Sequence, residues 1–570
     1  MPQSPHIWLA ERNRLTDLLY ESPYDLILYL DRARVYTRLG YPDLAAGDAY
    51  RALLLADEVR DETGEYHEEA ALALSDHCDT DPGICGNGDA TTDERLEQLL
   101  NEGTLKCYRV LSSNLSRCGC LKSAWDFCKR GLALFAEDTE LSEERERILS
   151  CGKRLLREQS SDGGHVSRDD GDGDEGGDVH PNDLPDQGFA RREVYPWNAY
   201  EPDRFSPESL DFLNKEMAKV APKCEVKATF LPSLQDITTT DEEPSAPLPP
   251  RRQLGVFAKE DLEPGEIILR ETSLLTVNNR LHDSFCDACS TRLPDISIAE
   301  SPIAACPDCD DTFFCNAECL RRALESYHPA VCGRDVEAVG REVERKETTD
   351  ALYLLLLGRA IAMAETKGCH PLELREVKYI WGDFVEGGGM PSVAADDSGD
   401  DAAAEEREGA FYASLPHTLP FTFPLNILLP LHLLLKMSLD PYTALRHHEP
   451  WIHNTLLSKF RGTASARLSS HDGTPEVSAV HPLWCLANHD CDPNVRWEWG
   501  GEIRFWVRER RVGGREGGVG KGEEVFGHYC DVGLGVKERR GWAVGSLGGL
   551  CMCERCKREE AEEARRELMG

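Results

Sequence analysis

Between residues 286 and 332 the chain sets seven cysteines and one histidine in four close pairs: Cys286-x2-Cys289, Cys306-x2-Cys309, Cys315-x3-Cys319 and His328-x3-Cys332. A CxxC turn directs two thiolates at one ion without strain, and eight soft ligands are enough for two tetrahedral zinc ions. Zinc stabilises the thiolate at neutral pH, so such a segment binds metal under ordinary cellular conditions. Four ligands per ion leave no open position for a substrate, which marks the sites as structural.

The rest of the composition narrows the setting. The sequence has 22 cysteines, and half of them fall in metal-type spacings. Residues 1–10 lack a basic start followed by an apolar core, so no signal peptide is expected. The most apolar stretches, 351–357 and 423–435, fall short of the ~20 clean apolar residues of a membrane span. A nuclear or cytoplasmic protein with reduced thiols is the expectation. The net charge of -38 argues against strong direct nucleic-acid binding, which draws on Lys and Arg to displace counterions. It suits a basic partner, although much of it sits in low-complexity runs.

The 570 residues call for several domains. Residues 1–155 read as an all-α domain. In it Gly40, Ala45 and Leu53 are matched by Gly119, Ala124 and Leu132 at one constant offset. This resembles the helix-turn-helix tetratricopeptide repeat, with an acidic insertion near 57–93 between the two units. Residues 156–190 read as a disordered acidic linker and 191–250 as a lead-in segment. The stretch 251–282 is expected to form two short strands around the Pro264-Gly265 turn, and 283–335 holds the cysteine pairs. A helical stretch at 336–480 is broken by an acidic loop at 391–410. Short strands return at 481–535, and a tail at 536–570 carries the cysteine run CMCERC. The glycines at 513–522 read as a flexible hairpin loop.

The four pairs resemble the MYND finger, whose ligand pairs interleave. On that resemblance Cys286, Cys289, Cys315 and Cys319 share one zinc, and Cys306, Cys309, His328 and Cys332 share the other. Around the finger lie RQLGVFAKEDLEPGE (252–266), LANHDCDPNVRW (486–497), GEEVFGHYCD (522–531) and CMCERC (551–556). Together and in this order they resemble a SET domain, and a finger inserted after the first SET strands is the layout of the SET-MYND family. The resemblance covers about 250–556 and implies an α+β fold. It comprises a SET β core with an inserted MYND zinc finger and a helical insert, a post-SET zinc tail, and the N-terminal repeat-like helices.

It also implies an S-adenosylmethionine-dependent protein-lysine N-methyltransferase. Tyr529 matches the family's catalytic tyrosine. Leu254 and Gly255 match its cofactor loop, Asn488 and His489 the pair holding the adenine end, and Ser458 an asparagine that anchors the amino-acid end. Cys491 joins Cys551, Cys553 and Cys556 in a third zinc site. The implied partners are a basic, lysine-containing protein segment such as a histone tail, and a proline-containing peptide at the finger. Three positions depart from the family: Gln253 replaces the first loop glycine, Ser458 replaces asparagine, and Gly549 stands where an aromatic lines the lysine channel. The tail after the last cysteines is short, and the repeats stand at the front as in fungal members. These departures keep a second reading in play, a weakly active or inactive adaptor that binds peptides through the finger and the repeats.

Overall fold

The computed structural model describes residues 5–80, 91–162, 180–191, 194–232, 251–279, 284–294, 303–309, 311–341, 343, 348–381, 419–547 and 549–569. Residues 163–179 of the expected linker and the whole acidic loop at 391–410 lie outside them; the linker's described ends are not disordered, since 156–162 continue a helix and 188–190 form a strand. Packing divides the chain into two compact units. The first takes in Met1–Glu193, Val385–Leu435 and Leu439–Trp451, and the second Val194–Phe384, Lys436–Ser438 and Ile452–Gly570. Among the described residues no helix is long and apolar enough to cross a membrane.

The strands, in chain order, are β1 (Gly188–Ala190), β2 (Cys224–Leu231), β3 (Arg251–Ala258), β4 (Ile267–Glu271), β5 (Thr276–Asn278), β6 (Ala304–Ala305), β7 (Phe313–Phe314), β8 (Leu419–Phe421), β9 (Ala464–Leu468), β10 (Pro475–Val480), β11 (Val495–Trp499), β12 (Ile503–Val507) and β13 (Glu524–Val525).

The first unit is built from α1 (Pro5–Glu21), α2 (Leu26–Arg38), α3 (Pro42–Arg60), α4 (His67–Thr80), α5 (Thr92–Cys118), α6 (Leu121–Leu134) and α7 (Thr139–Asp162). α2 packs on α3 and α5 on α6. The matched glycines Gly40 and Gly119 take φ of 75° and 90°. Glycine reaches this left-handed region at no steric cost, so each ends a helix and starts the return. Ala45 and Ala124 are fully buried, and their small side chains allow close helix approach. The acidic insertion contributes α4, so it is partly a helix of the same bundle. Residues 419–435 and 439–449, expected within the helical insert, belong to this unit. β8 pairs antiparallel with β1. Phe423 sits edge-on to Tyr50 and Phe127, with centroids at 4.9 and 5.0 Å. The fully buried Glu449 accepts hydrogen bonds from Arg12 and Arg32, both at 3.1 Å, and from Tyr20 at 3.0 Å.

The second unit has a β core of three-stranded sheets ordered β13-β3-β2, β11-β12-β4 and β5-β10-β9. β3 alternates inward apolar residues, with Leu254, Val256 and Ala258 each no more than 2% exposed. That period-two pattern fixes its register against β2 along eight residue pairs. The lead-in segment thus supplies a full strand and the helix α8 (Pro207–Val220), capped by Ser206 and started by Pro207. The Asn214 carboxamide ties α8 to β2 by bonding both the N–H and the carbonyl of Val226, at 2.8 and 3.0 Å. The stretch 251–282 gives three strands rather than two, because Thr276–Asn278 finds a partner in β10 that sequence pattern alone does not reveal. The glycine-rich loop 513–522 is tied down by bridges Arg510–Glu516 and Leu262–Val519.

Candidate functional site

The cysteine-rich segment folds as a set of tight turns around two ligand clusters. Cys286 and Cys289 lie on one turn, closed by the Ser290 N–H bonding the Cys286 carbonyl at 2.8 Å. The hairpin β6–β7 places Cys306 and Cys309. α9 (Ala317–Ser326) carries Cys319, and its cap Asn316 accepts from the Cys319 N–H at 2.9 Å while donating to Cys315 Sγ at 3.4 Å. Asp287 anchors the segment to the helix Thr348–Lys367. Its carboxylate accepts from Arg359 at 3.1 and 3.2 Å and from the Tyr327 hydroxyl at 2.6 Å.

The ligand atoms of Cys286, Cys289, Cys315 and Cys319 come together, as do those of Cys306, Cys309, His328 and Cys332, and those of Cys491, Cys551, Cys553 and Cys556. Within each set all lie within 4.8 Å of one another. A tetrahedral zinc with thiolates at ~2.3 Å requires sulfurs about 3.8 Å apart. Cys289–Cys315 and Cys306–Cys332 are both 3.8 Å apart, and Cys491–Cys551 and Cys491–Cys556 are 4.0 and 3.4 Å apart. His328 Nε2 lies 3.1 Å from Cys306 Sγ and 3.5 Å from Cys309 Sγ. Burial holds His328 towards its neutral form, which is the form that ligates. Thiols packed this closely cannot all ionise by themselves. Hydrogen bonds from Cys286 and Cys319 pull Cys289 down, whereas Cys319 is driven up by Cys286 and Cys289. A central dication removes that conflict, so the donor sets and spacings suit zinc.

The third cluster borders a second constellation. The turn Trp484–Leu486 leads into Ala487, Asn488 and His489, which run beside Gly527–Tyr529. The Gly527 N–H bonds the Asn488 carbonyl at 2.9 Å, and the Asp490 N–H bonds the Gly527 carbonyl at 3.1 Å. Fully buried Asn494 fastens the same join, accepting from the Phe526 N–H and donating to the Glu524 carbonyl, each at 2.7 Å. Asn488 Nδ2 donates to the Leu254 carbonyl at 2.9 Å and to Glu524 Oε1 at 2.6 Å. A Cβ on Gly255 would meet Glu524 Oε1 at 2.4 Å, so a side chain here would displace the Glu524 carboxylate from Asn488. The Tyr529 hydroxyl donates to the Ala487 carbonyl at 3.0 Å, and its N–H to His489 Nδ1 at 3.1 Å. Burial pushes the Tyr529 phenol up, so it remains a proton donor.

Five of the six expected non-metal site residues therefore converge: Leu254, Gly255, Asn488, His489 and Tyr529. Ser458 lies buried on the helix Pro450–Thr463, and among the described residues no side-chain hydrogen bond joins it to the other five. Its neighbour Lys459 is buried against Glu201 at 2.9 Å. Gln253 accepts from buried Arg204 at 3.3 Å, so the side chain that replaces a glycine is held by the lead-in segment. Sequence reasoning passed over Glu524 and Asn494. Their signal was the polar residue inside an apolar strand pattern and the Asn that closes the CDPN turn. Cys530 was also passed over; it forms a further three-ligand group with His489 and Cys491. Burial raises Glu524 above the ordinary carboxylate range, against hydrogen bonds from Asn488 and Thr229.

No family model matches the chain. A stretch of 76 residues, 13% of the chain, is 37% identical to the histone-lysine N-methyltransferase SET5 of Vanderwaltozyma polyspora. The match spans 14% of that protein's length. This partial likeness supports a relation to the SET family.

Proposed function

We propose that the chain is an S-adenosylmethionine-dependent protein-lysine N-methyltransferase of the SET-MYND type, stabilised by three structural zinc ions. The convergence of Leu254, Gly255, Asn488, His489 and Tyr529 where the Asn488 and Tyr529 segments meet β3 carries the reading, and the partial likeness to a histone-lysine methyltransferase agrees with it. When bound, S-adenosylmethionine supplies an electrophilic methyl group on a sulfonium.

The protein's share of the chemistry is selection and alignment. Both Asn488 N–H groups are engaged by acceptors, the Leu254 carbonyl and Glu524, which leaves Oδ1 to accept from an amino group such as that of adenine. The backbone around Gly255 can approach a ligand closely. The Tyr529 hydroxyl and the Ala487 carbonyl set two oxygens side by side, a point at which a lysine amine can be oriented. Free lysine has a pKa near 10.4. Its ammonium must lose a proton to solvent before transfer, and a desolvating channel promotes that loss.

The substrate is a basic, lysine-containing protein segment such as a histone tail, attracted by the acidic charge of the chain. The paired helices of the first unit and the finger serve as peptide-binding platforms. A nuclear or cytoplasmic location follows from these roles.

The test is incubation of the purified chain with labelled cofactor and a panel of histones and whole lysate. Label transfer to lysine is expected. The adaptor reading draws on the departures at Gln253 and Ser458, where the family has glycine and asparagine. Peptide binding without label transfer to any lysine would establish that reading instead.

A further inference from the structure

β4 ends in a carboxylate that the site described above does not use. Glu271 is only 6% exposed, yet its two oxygens face backbone rather than a cation. Oε1 accepts from the Leu483 N–H at 3.1 Å and Oε2 from the Trp484 N–H at 2.8 Å. These two amides open the turn Trp484–Leu486. The first N–H groups of such a turn have no partner within it, so a carboxylate there both satisfies them and fixes the direction in which the chain leaves. The next residues are Ala487, whose carbonyl receives the Tyr529 hydroxyl, and Asn488, which joins Leu254 to Glu524. Hydrophobic packing of Trp484 against Phe505 and Trp497 supports the turn but does not set its register.

We propose that Glu271 is a positioning residue, whose carboxylate orients the Ala487–Asn488 segment for cofactor binding by holding the Leu483 and Trp484 amides. The cofactor half of this statement rests on the methyltransferase reading; the structural half does not. Ionisation matters, because a carboxylate accepts at both oxygens whereas a protonated carboxyl turns one of them into a donor. Burial pushes the Glu271 carboxyl up to about 7, against its two backbone hydrogen bonds and Arg375. The groups facing it are Arg375 and Tyr379 from the chain after the helix Thr348–Lys367, Glu216 from α8, and Cys485 from the turn itself. Arg375 is shared with Glu216, at 3.2 Å. The turn is therefore gripped by two bonds above neutrality and by one below it.

Two measurements on the full chain test this: amide-exchange protection at residues 482–490, and S-adenosylmethionine affinity by calorimetry. Both are taken from about pH 6 to about pH 8, with exchange rates corrected for the intrinsic pH effect. In the unsubstituted protein, protection at Leu483 and Trp484 should rise with pH, and affinity should rise about tenfold, the scale of one charge-assisted hydrogen bond. Glu271→Gln has one acceptor oxygen at every pH, so both profiles should flatten at their weak end. Arg270→Gln, on the exposed face of the same strand, should leave both unchanged. pH-independent protection of the two amides, or a Glu271→Gln protein with the original pH profile, would overturn the proposal. Should Glu271→Gln fail to fold, the pH dependence of the unsubstituted chain decides the matter. If cofactor does not bind at any pH while protection still follows Glu271, the methyltransferase reading fails and the anchoring role stands.

Discussion

Asn488→Ala is the substitution whose effect the structure specifies most closely. It deletes a neutral hydrogen bond to the Leu254 carbonyl and a charge-assisted one to Glu524. Net contributions of about 1 kcal/mol and about 1.5–3 kcal/mol give a loss on the order of 2–4 kcal/mol. At about 1.4 kcal/mol per decade, protection of the β3 and β13 amides against local opening should fall on the order of 30- to 1000-fold. Native-state hydrogen exchange at Val256, Phe257 and Val525 reads this directly. The loss also has a pH signature. Glu524 already has a raised folded pKa, so its contribution is fully present below the unfolded value and is lost as pH rises through the folded one. Without Asn488 the carboxylate keeps only Thr229, at 3.3 Å, and its folded pKa rises further. The gap between the two proteins should therefore widen with rising pH. Asn488→Asp should show the same trend more strongly, since two carboxylates would then meet and compete for one proton. A protection change under about threefold, or a gap constant with pH, would refute the reasoning.

Tyr529→Phe removes one hydroxyl and keeps the ring; turnover should fall on the order of 10²-fold with little change in cofactor affinity, as measured by steady-state kinetics and calorimetry. Metal analysis should give three zinc ions per chain, and Cys551→Ser should lose one and lower activity while sparing the finger. Glu449→Ala leaves Arg12 and Arg32 buried without their shared carboxylate, so the first unit should lose about 3–5 kcal/mol in a urea titration followed by limited proteolysis near 439–449. Burial raises the Glu449 carboxyl, but Arg32 and then Arg12 hold it below its usual 4.5. This stabilisation is accordingly present above 4.5 and lost as pH falls through the lowered value, and Glu449→Ala should remove that acid sensitivity.

What could be read from the sequence was local. Ligand pairs three or four residues apart announce a turn wherever they occur, so the twelve metal-type residues were legible from spacing and resemblance. Strand β3 was legible for the same reason, since its alternation of Leu254, Val256 and Ala258 is a short-range pattern. The rest depends on partners far away in the chain. β2 alternates as plainly, from Cys224 to Phe230, but that it pairs with β3 along its whole length is not a short-range property. Residues 419–449 look like any apolar helical stretch. Where they pack is shown only by distant partners: β1 for Leu419–Phe421, Tyr50 and Phe127 for Phe423, and for Glu449 two arginines more than four hundred residues upstream. Ser458 was assigned from a motif alone, and a motif fixes the position in sequence but not the contacts of a shorter side chain.

The third ligand cluster and the Tyr529 segment are joined by a single ring. The Tyr529 backbone N–H can only donate, so His489 Nδ1 is the acceptor in that 3.1 Å bond. A neutral His489 then carries its proton on Nε2, which lies 3.3 Å from Cys491 Sγ. An N–H directed at a metal-bound thiolate is a common outer partner of such sites; it fixes the ring and moderates the charge on sulfur. The tail reinforces the join from the other side. Arg555 donates to the carbonyls of Cys491 and Val532, at 2.7 and 2.8 Å, while Arg540 donates to that of Cys551 at 3.0 Å. Metal loss would release Cys491, and with it the ring that orients the Tyr529 backbone. An ion held by Cys491 and the tail cysteines would thus govern the position of a hydroxyl it never touches, which is why Cys551→Ser is expected to lower activity without altering any residue of the site itself.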